Sequence, residues 1–148
     1  MPGRGTVYFD TSALAKWYLN ETLSERVEQY IRGHGPVAIS DLTVVEMRCL
    51  LARRRREKDF DAGTEMKVFG VFEEDIRRGY LVRHPLTGTV AAGAVNLITT
   101  LPEVPLRTLD AIHLVIAAGI GADVLATSDR IMAEGARRMG LRVVRFWV

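Results

Sequence analysis

Short β-branched runs alternate with longer stretches of helical period along this chain, and that alternation constrains the fold more than any other feature. The runs fall at residues 6–9, 37–39, 80–83, 124–126 and 142–145. Strands separated by helix-length segments return to the same end of a sheet, so they pair in parallel under a cover of helices. The expectation is an α/β fold around a central parallel sheet of about five strands. Helices are predicted from near Ser12, over 23–32, and over 42–56 behind the capping residues Ser40 and Asp41. Further helices are predicted over 59–78 before Gly79, 89–100 before Leu101-Pro102, 108–119 with Gly121 as stop, and 131–139 ending at Gly140.

A chain of 148 residues is expected to form one domain, 1–148, with one core and no linker. No apolar run approaches the roughly 20 residues that span a bilayer, so no membrane partner is expected. The start, Met-Pro-Gly-Arg-Gly, lacks the apolar core of a signal peptide, and the expected location is cytoplasmic. Cys49 is the only cysteine, which excludes an internal disulfide and a thiolate zinc cluster. The net charge of +2 is too weak to announce a nucleic-acid partner, but seventeen of the twenty cations are arginines. The arginine fork pairs two-pronged with phosphate or carboxylate; a coding bias toward arginine accounts for the count equally well.

Acids stand where packing does not ask for them. Asp10 follows the first strand in VYFDTSAL, and Asp129 follows the fourth in LATSD, each after or beside hydroxyl residues. Either alone reads as a helix cap. Glu46 falls within an apolar stripe of Leu42, Val45, Cys49 and Leu50, which turns it inward and requires a cation, either an arginine such as Arg48 or Arg107 or a metal. Asp110 opens the helix LDAIHLVIAAGI, where the dipole keeps a carboxylate ionised. His113 beside an apolar face reads as a hydrogen-bonded core residue before it reads as a ligand. Open α/β folds converge their strand ends on one crevice, and four carboxylates gathered there repel unless a divalent cation or a raised pKa intervenes. Hard oxygen donors favour Mg2+ or Mn2+. Thr11, Ser12, Thr127 and Ser128 are placed to support the acids.

Four stretches in order, DTSALAKWYLNE, SDLTVVEMRCLLARRRR, LRTLDAIHLVIA and ADVLATSDRIMAEGARRMGLRVV, resemble the PIN-domain ribonucleases, and among them the VapC toxins of VapBC toxin-antitoxin pairs. The resemblance implies a PIN-like α/β/α sandwich with the first and fourth strands adjacent at the switch point. It implies Asp10 and Asp110 as principal metal ligands, Glu46 as a ligand directly or through water, Asp129 as the fourth acid, and Thr11, Ser12 and Thr127 as supporting hydroxyls. Some relatives carry a further acid after the fourth; Arg130, Ile131 and Met132 stand there here.

The function so implied is a Mg2+- or Mn2+-dependent endoribonuclease, the toxin of a toxin-antitoxin pair, neutralised by a VapB-like antitoxin and assembled as a homodimer. A non-toxin PIN nuclease of RNA processing, or a PIN fold that binds RNA or a partner without cutting, are the alternatives. A receiver-like signalling module fits poorly, because the last lysine is Lys67. Arg53 and Arg54, in the charge run 53–56, are candidates to guide RNA, with a solvated helix end as the competing role. The groove between helices 23–32 and 42–56, with Trp17, Tyr18 and Tyr30, is the expected antitoxin surface, and core packing is the plainer role for these aromatics.

Overall fold

The structure, a computed structural model, describes residues 5–148. Its elements run β1 (Val7–Phe9), α1 (Thr11–Tyr18), α2 (Ser24–His34), β2 (Val37–Ser40), α3 (Asp41–Arg56), α4 (Ala62–Arg77) and β3 (Leu81–His84). They continue with α5 (Val90–Thr100), α6 (Thr108–Gly119), β4 (Val124–Thr127), α7 (Arg130–Arg138) and β5 (Arg142–Arg145). Every strand pair is parallel, in the order β3-β2-β1-β4-β5. The chain therefore builds outward from β1 to one edge, then returns to build β4 and β5 on the other side. The crevice opens where that direction reverses, between β1 and β4, with Phe9 opposite Ala126.

The two faces of the sheet follow from the period of two. Val7 and Phe9 enter one buried cluster with Ile39, Ala126, Leu14 and Phe72, while Tyr8, Ala38 and Leu125 enter the other with Leu114 and Met132. Both faces of the central strands are covered, which explains their unbroken apolar character. Gly121 and Gly140 take φ of +72° and +88° and end α6 and α7, conformations that disfavour a side chain.

The expected boundaries hold within a few residues, with informative exceptions. Helix α4 starts at Ala62 rather than 59, because Asp61 caps it by accepting from Thr64 N at 2.7 Å. On α3 the buried stripe is Thr43, Met47 and Leu51, not the Leu42, Val45, Cys49, Leu50 set; Val45 is 65% exposed. Both sets recur at helical spacing, and tertiary packing selected the one that turns Met47 and Leu51 onto the sheet. Helix α1 packs against both α2 and α3 and so lies between them. Trp17, Tyr18 and Tyr30 pack against the core, with the Tyr18 hydroxyl donating to Asp75 at 2.5 Å and Tyr30 stacked on His34. All three are only partly buried, with part of each ring packed on the core and part left accessible.

Candidate active site

Asp10 ends β1 and caps α1 at the same time. Its Oδ1 accepts from Ala13 N at 3.0 Å and Ser12 Oγ at 2.7 Å, and its Oδ2 accepts from Thr127 Oγ1. Capping and site membership are thus one geometry, and the cap is Asp10 itself. Asp129 repeats the device at β4: Oδ1 accepts from Ile131 N and Met132 N at 2.8 and 3.1 Å, capping α7, while Oδ2 turns to Arg107. The Thr127 hydroxyl donates to Asp10 and accepts from Asp129 N at 2.9 Å, tying the two junctions together.

Asp110 sits in the first turn of α6, buried, and its Oδ2 accepts from Arg107 N at 3.0 Å. The Arg107 guanidinium then spans two acids, with Nε 3.4 Å from Asp110 Oδ2 and Nη2 3.0 Å from Asp129 Oδ2. Attraction to Asp110, its hydrogen bond, and attraction to Asp129 raise the Arg107 pKa further.

Glu46 lies at the edge of the α3 stripe, half-buried. Its partner is neither Arg48 nor Arg107. Thr11 Oγ1 and His113 Nε2 both donate to Glu46 Oε1, at 2.6 and 2.5 Å. An ionised carboxylate only accepts, so the His113 Nε2 carries the proton. His113 Nδ1 stands 2.7 Å from the Tyr8 hydroxyl, which stands 2.9 Å from Ser40 Oγ, so a buried chain of polar groups anchors the imidazole. Among the described residues no hydrogen bond reaches Glu46 Oε2.

All four acids line one cleft of about 600 Å3, together with Thr11, Ser12, Arg53, Arg107 and His113. Of the hydroxyls, Thr11 donates to Glu46, and Ser12 and Thr127 donate to Asp10. Ser128 departs: its backbone N donates to Ser12 Oγ at 3.1 Å, but its own hydroxyl finds no partner among the described residues and touches no acid. Arg53 faces the cleft, whereas Arg54 is held away by Glu21 at 2.9 Å and Asp59 at 3.5 Å, so the pair divides.

Burial pushes the Asp10 carboxyl up, and the hydrogen bonds from Thr127, Ala13 and Ser12 with the His113 charge do not fully offset it. Burial would raise Glu46 as well, but the His113 hydrogen bond and charge, with Thr11, carry it below its ordinary value. The donor set suits a hard divalent cation: four carboxylates, all oxygen, with Asp10 held by neutral donors alone and Glu46 Oε2 turned to no donor. Among the described residues no three acidic, histidine or cysteine side chains stand close enough to hold an ion as placed. Arg107 supplies the countercharge to Asp110 and Asp129, so its guanidinium has to yield for a cation to reach both.

Sequence reasoning misses two members of this site. Arg107 stands out in the sequence only as a partner for Glu46, although an arginine three residues before an acid in a first helical turn is the available signal. Tyr8 reads as an ordinary strand residue; its place between Val7 and Phe9 turns it to the opposite face, toward His113.

Acids at the carboxyl ends of adjacent parallel strands, across a switch point and facing two helix-borne acids, place the chain in the class of α/β proteins with an acidic cleft at the switch point. Residues 7–138 match the model of the PIN domain, and the chain belongs to the PIN domain family. It is 32% identical over 141 residues to Ribonuclease VapC46 of Mycobacterium tuberculosis, covering 93% of this chain and 95% of that protein. Its fold is similar to that of VapC20 from Mycobacterium tuberculosis, described as a sarcin-ricin loop cleaving toxin, with a TM-score of 0.69 at 16% identity over 87% of this chain and 94% of that one. It is also similar to VapBC2 from Rickettsia felis, solved on a DNA fragment from its promoter, with a TM-score of 0.68 at 12% identity over 97% and 99% of the two chains.

Proposed function

We propose that the chain is a ribonuclease toxin of a toxin-antitoxin pair, one PIN domain over 1–148, that hydrolyses RNA phosphodiester bonds with Mg2+ or Mn2+. The observation that carries this reading is the convergence of Asp10, Glu46, Asp110 and Asp129 on one cleft, in a chain 32% identical to a VapC ribonuclease over most of its length. Asp10, Asp110, Glu46 and Asp129 would hold the cation. When bound, the cation lowers the pKa of water and neutralises charge that develops on the phosphate.

The protein's own residues do the positioning. Thr127 and Ser12 fix the Asp10 carboxylate in one rotamer, and the caps on α1 and α7 lock both strand-end acids to rigid helices. His113 and Thr11 occupy Glu46 Oε1, which leaves Oε2 as the oxygen available to a ligand or to the proton of attacking water. Arg107 is exposed at the cleft mouth and, once released from Asp110 and Asp129, is placed to meet a phosphate oxygen. The antitoxin partner is a VapB-like protein covering this cleft, the assembly is a homodimer, and the site of action is the cytoplasm; the membership of VapC20 and VapBC2 in toxin and toxin-antitoxin structures supports the pairing.

The test is titration of Mg2+ and of Mn2+ into nuclease-free protein with a synthetic RNA. Products that require the cation and vanish on chelation are expected. A mobility shift without products in either cation would overturn the nuclease reading in favour of a binding module. Relief of cleavage by the product of an adjacent small gene is expected if the chain is a toxin, and cleavage indifferent to it assigns the enzyme to RNA processing.

A further inference from the structure

Most arginines of this protein are already engaged by acids. Of those described, only Arg26, Arg56, Arg130, Arg142 and Arg145 stand without a side-chain carboxylate at ion-pair distance. Four of these five belong to β5 or to the elements beside it. The Arg130 and Arg145 guanidinium carbons lie 4.8 and 5.8 Å from the centroid of the Trp147 ring, and that of Arg26 lies 5.6 Å from the Phe146 ring. Arg26 Nη2 donates to Arg145 O at 3.3 Å, and Arg130 Nη2 donates to Val148 O at 3.3 Å. All three arginines are exposed.

The cluster lies at the catalytic end of the sheet. Phe146 N donates to Thr127 O at 2.9 Å, which lays the segment after β5 alongside the loop that carries Asp129, and Arg130 follows Asp129 directly. Arg53 enters the cleft from α3, on the β2 side of β1; the arginine cluster stands on the β5 side of β4. A polyanion whose reacting phosphate sits among the acids has neighbouring phosphates on both flanks, and the acids repel all of them. Cations are needed on each side. A guanidinium seated over indole is held through its face, which leaves the in-plane N–H donors of Arg145, and those of Arg130 other than the one given to Val148 O, for a phosphate oxygen. Guanidinium groups held this way, with no side-chain carboxylate at ion-pair distance, suit phosphate.

We propose that Arg130 and Arg145, held over Trp147 and joined by Arg26, form a phosphate clamp for single-stranded RNA on the β5 flank of the cleft. This rests on the ribonuclease reading above and adds to it the path of the substrate strand. The clamp offsets the repulsion between the four acids and the RNA backbone, and it fixes the strand's direction of exit past Asp129.

The test measures binding of a fluorescently labelled poly-uridine RNA to the full-length protein carrying Asp10→Asn, which prevents cleavage, over a series of salt concentrations. Adding Arg130→Gln with Arg145→Gln should weaken binding about tenfold and reduce the slope of log affinity against log salt by about 1.4, near 0.7 for each phosphate no longer neutralised. Arg77→Gln with Arg78→Gln, at the C-terminal end of α4, removes the same charge elsewhere and should change neither quantity. Trp147→Leu keeps both charges but removes the platform and should weaken binding several-fold, with melting curves confirming that each variant folds. RNA binding and cutting by the parent protein with no change in the Arg130/Arg145 variant would overturn the clamp and leave the ribonuclease reading intact. An equal loss in the α4 variant would reduce the effect to net charge and overturn it as well. Cluster-dependent capture of poly-glutamate in place of RNA would assign the surface to an acidic peptide instead. No RNA affinity in the parent protein would overturn clamp and ribonuclease together.

Discussion

Two buried acids in this protein live in opposite electrostatic surroundings. Glu65 on α4, its side chain 5% exposed, is gripped by Arg48 Nη1 at 2.7 Å and Arg55 Nε at 2.5 Å, and Arg48 also lies over the Phe69 ring. The hydrogen bond from Arg48, and then those and the charges of Arg55 and Arg48 against a smaller burial effect, hold its pKa down. Asp10, 2% exposed, has only hydroxyl and amide donors, and burial pushes its pKa up. A carboxylate that serves the fold brings its own cations from the same chain. One left short of charge in a cleft marks a place where a cation from outside completes the site.

The sharpest way to break this contrast is to neutralise each acid without changing its shape. Asp10→Asn should reduce RNA cleavage to background, read from product bands, because the missing charge is the one the cation answers. The same substitution should not lower the melting temperature of the metal-free protein at neutral pH, and should raise it, since a buried uncompensated charge is removed. A metal-free variant that melts well below the parent would make Asp10 a structural acid like Glu65 and dissolve the distinction.

The fold was legible because its signals are local and redundant. Strand runs, caps at Asp10, Ser40 and Asp129, and stops at Gly121 and Gly140 all point to the same elements. The four acids stood out as a set because two end strands and two lie on inward-facing helix positions, although capping or the helix dipole accounts locally for Asp10, Asp129 and Asp110 taken singly. Their partners were not. Whether Glu46 meets Arg48, Arg107 or His113 depends on how α3 rotates, and two apolar stripes on that helix are compatible with its spacing. Tyr8, His113 and Glu46 lie far apart in sequence, and no spacing rule joins them. Arg54 and Arg53 are neighbours with different fates for the same reason: the rotation of the helix aims Arg54 at Glu21 and Arg53 at the cleft.

The link between Glu46 and His113 offers the next test. His113→Leu should lower kcat by about 100-fold with little change in KM, as expected when a ligand loses the partner that orients it. His113→Gln, which places an amide donor near the position of Nε2, should recover part of that loss. Recovery is the decisive readout, because a merely packed histidine would be replaced as well by leucine as by glutamine.

Smaller still is the expected cost of Thr127→Val, which keeps the shape of a buried side chain and deletes the hydroxyl between Asp10 and Asp129 N. Cleavage should fall by about tenfold, and calorimetric Mg2+ titration should show weaker binding to match. Equal Mg2+ affinity in both proteins would confine Thr127 to a structural role at the β1 and β4 junctions.

The least effect on catalysis should come from Glu65→Gln, which leaves the cleft untouched. Cleavage should be unchanged while the melting temperature at pH 7 falls by roughly 3 °C or more, because two guanidinium groups lose a buried partner. The two acids must also respond to pH with opposite signs. The folded-state pKa of Glu65 lies below its ordinary 4.5, so its contribution to stability is present above that value and is lost as pH falls through the folded one. The folded-state pKa of Asp10 lies above its ordinary 3.8, so the metal-free protein gives up stability as pH rises through the folded value. Melting temperatures of Glu65→Gln and Asp10→Asn, each taken relative to the parent across pH, should therefore diverge at neutral pH and converge in acid. If the two difference curves moved together, the acids would share one electrostatic role, and the charge deficit at Asp10 would no longer single out the cleft.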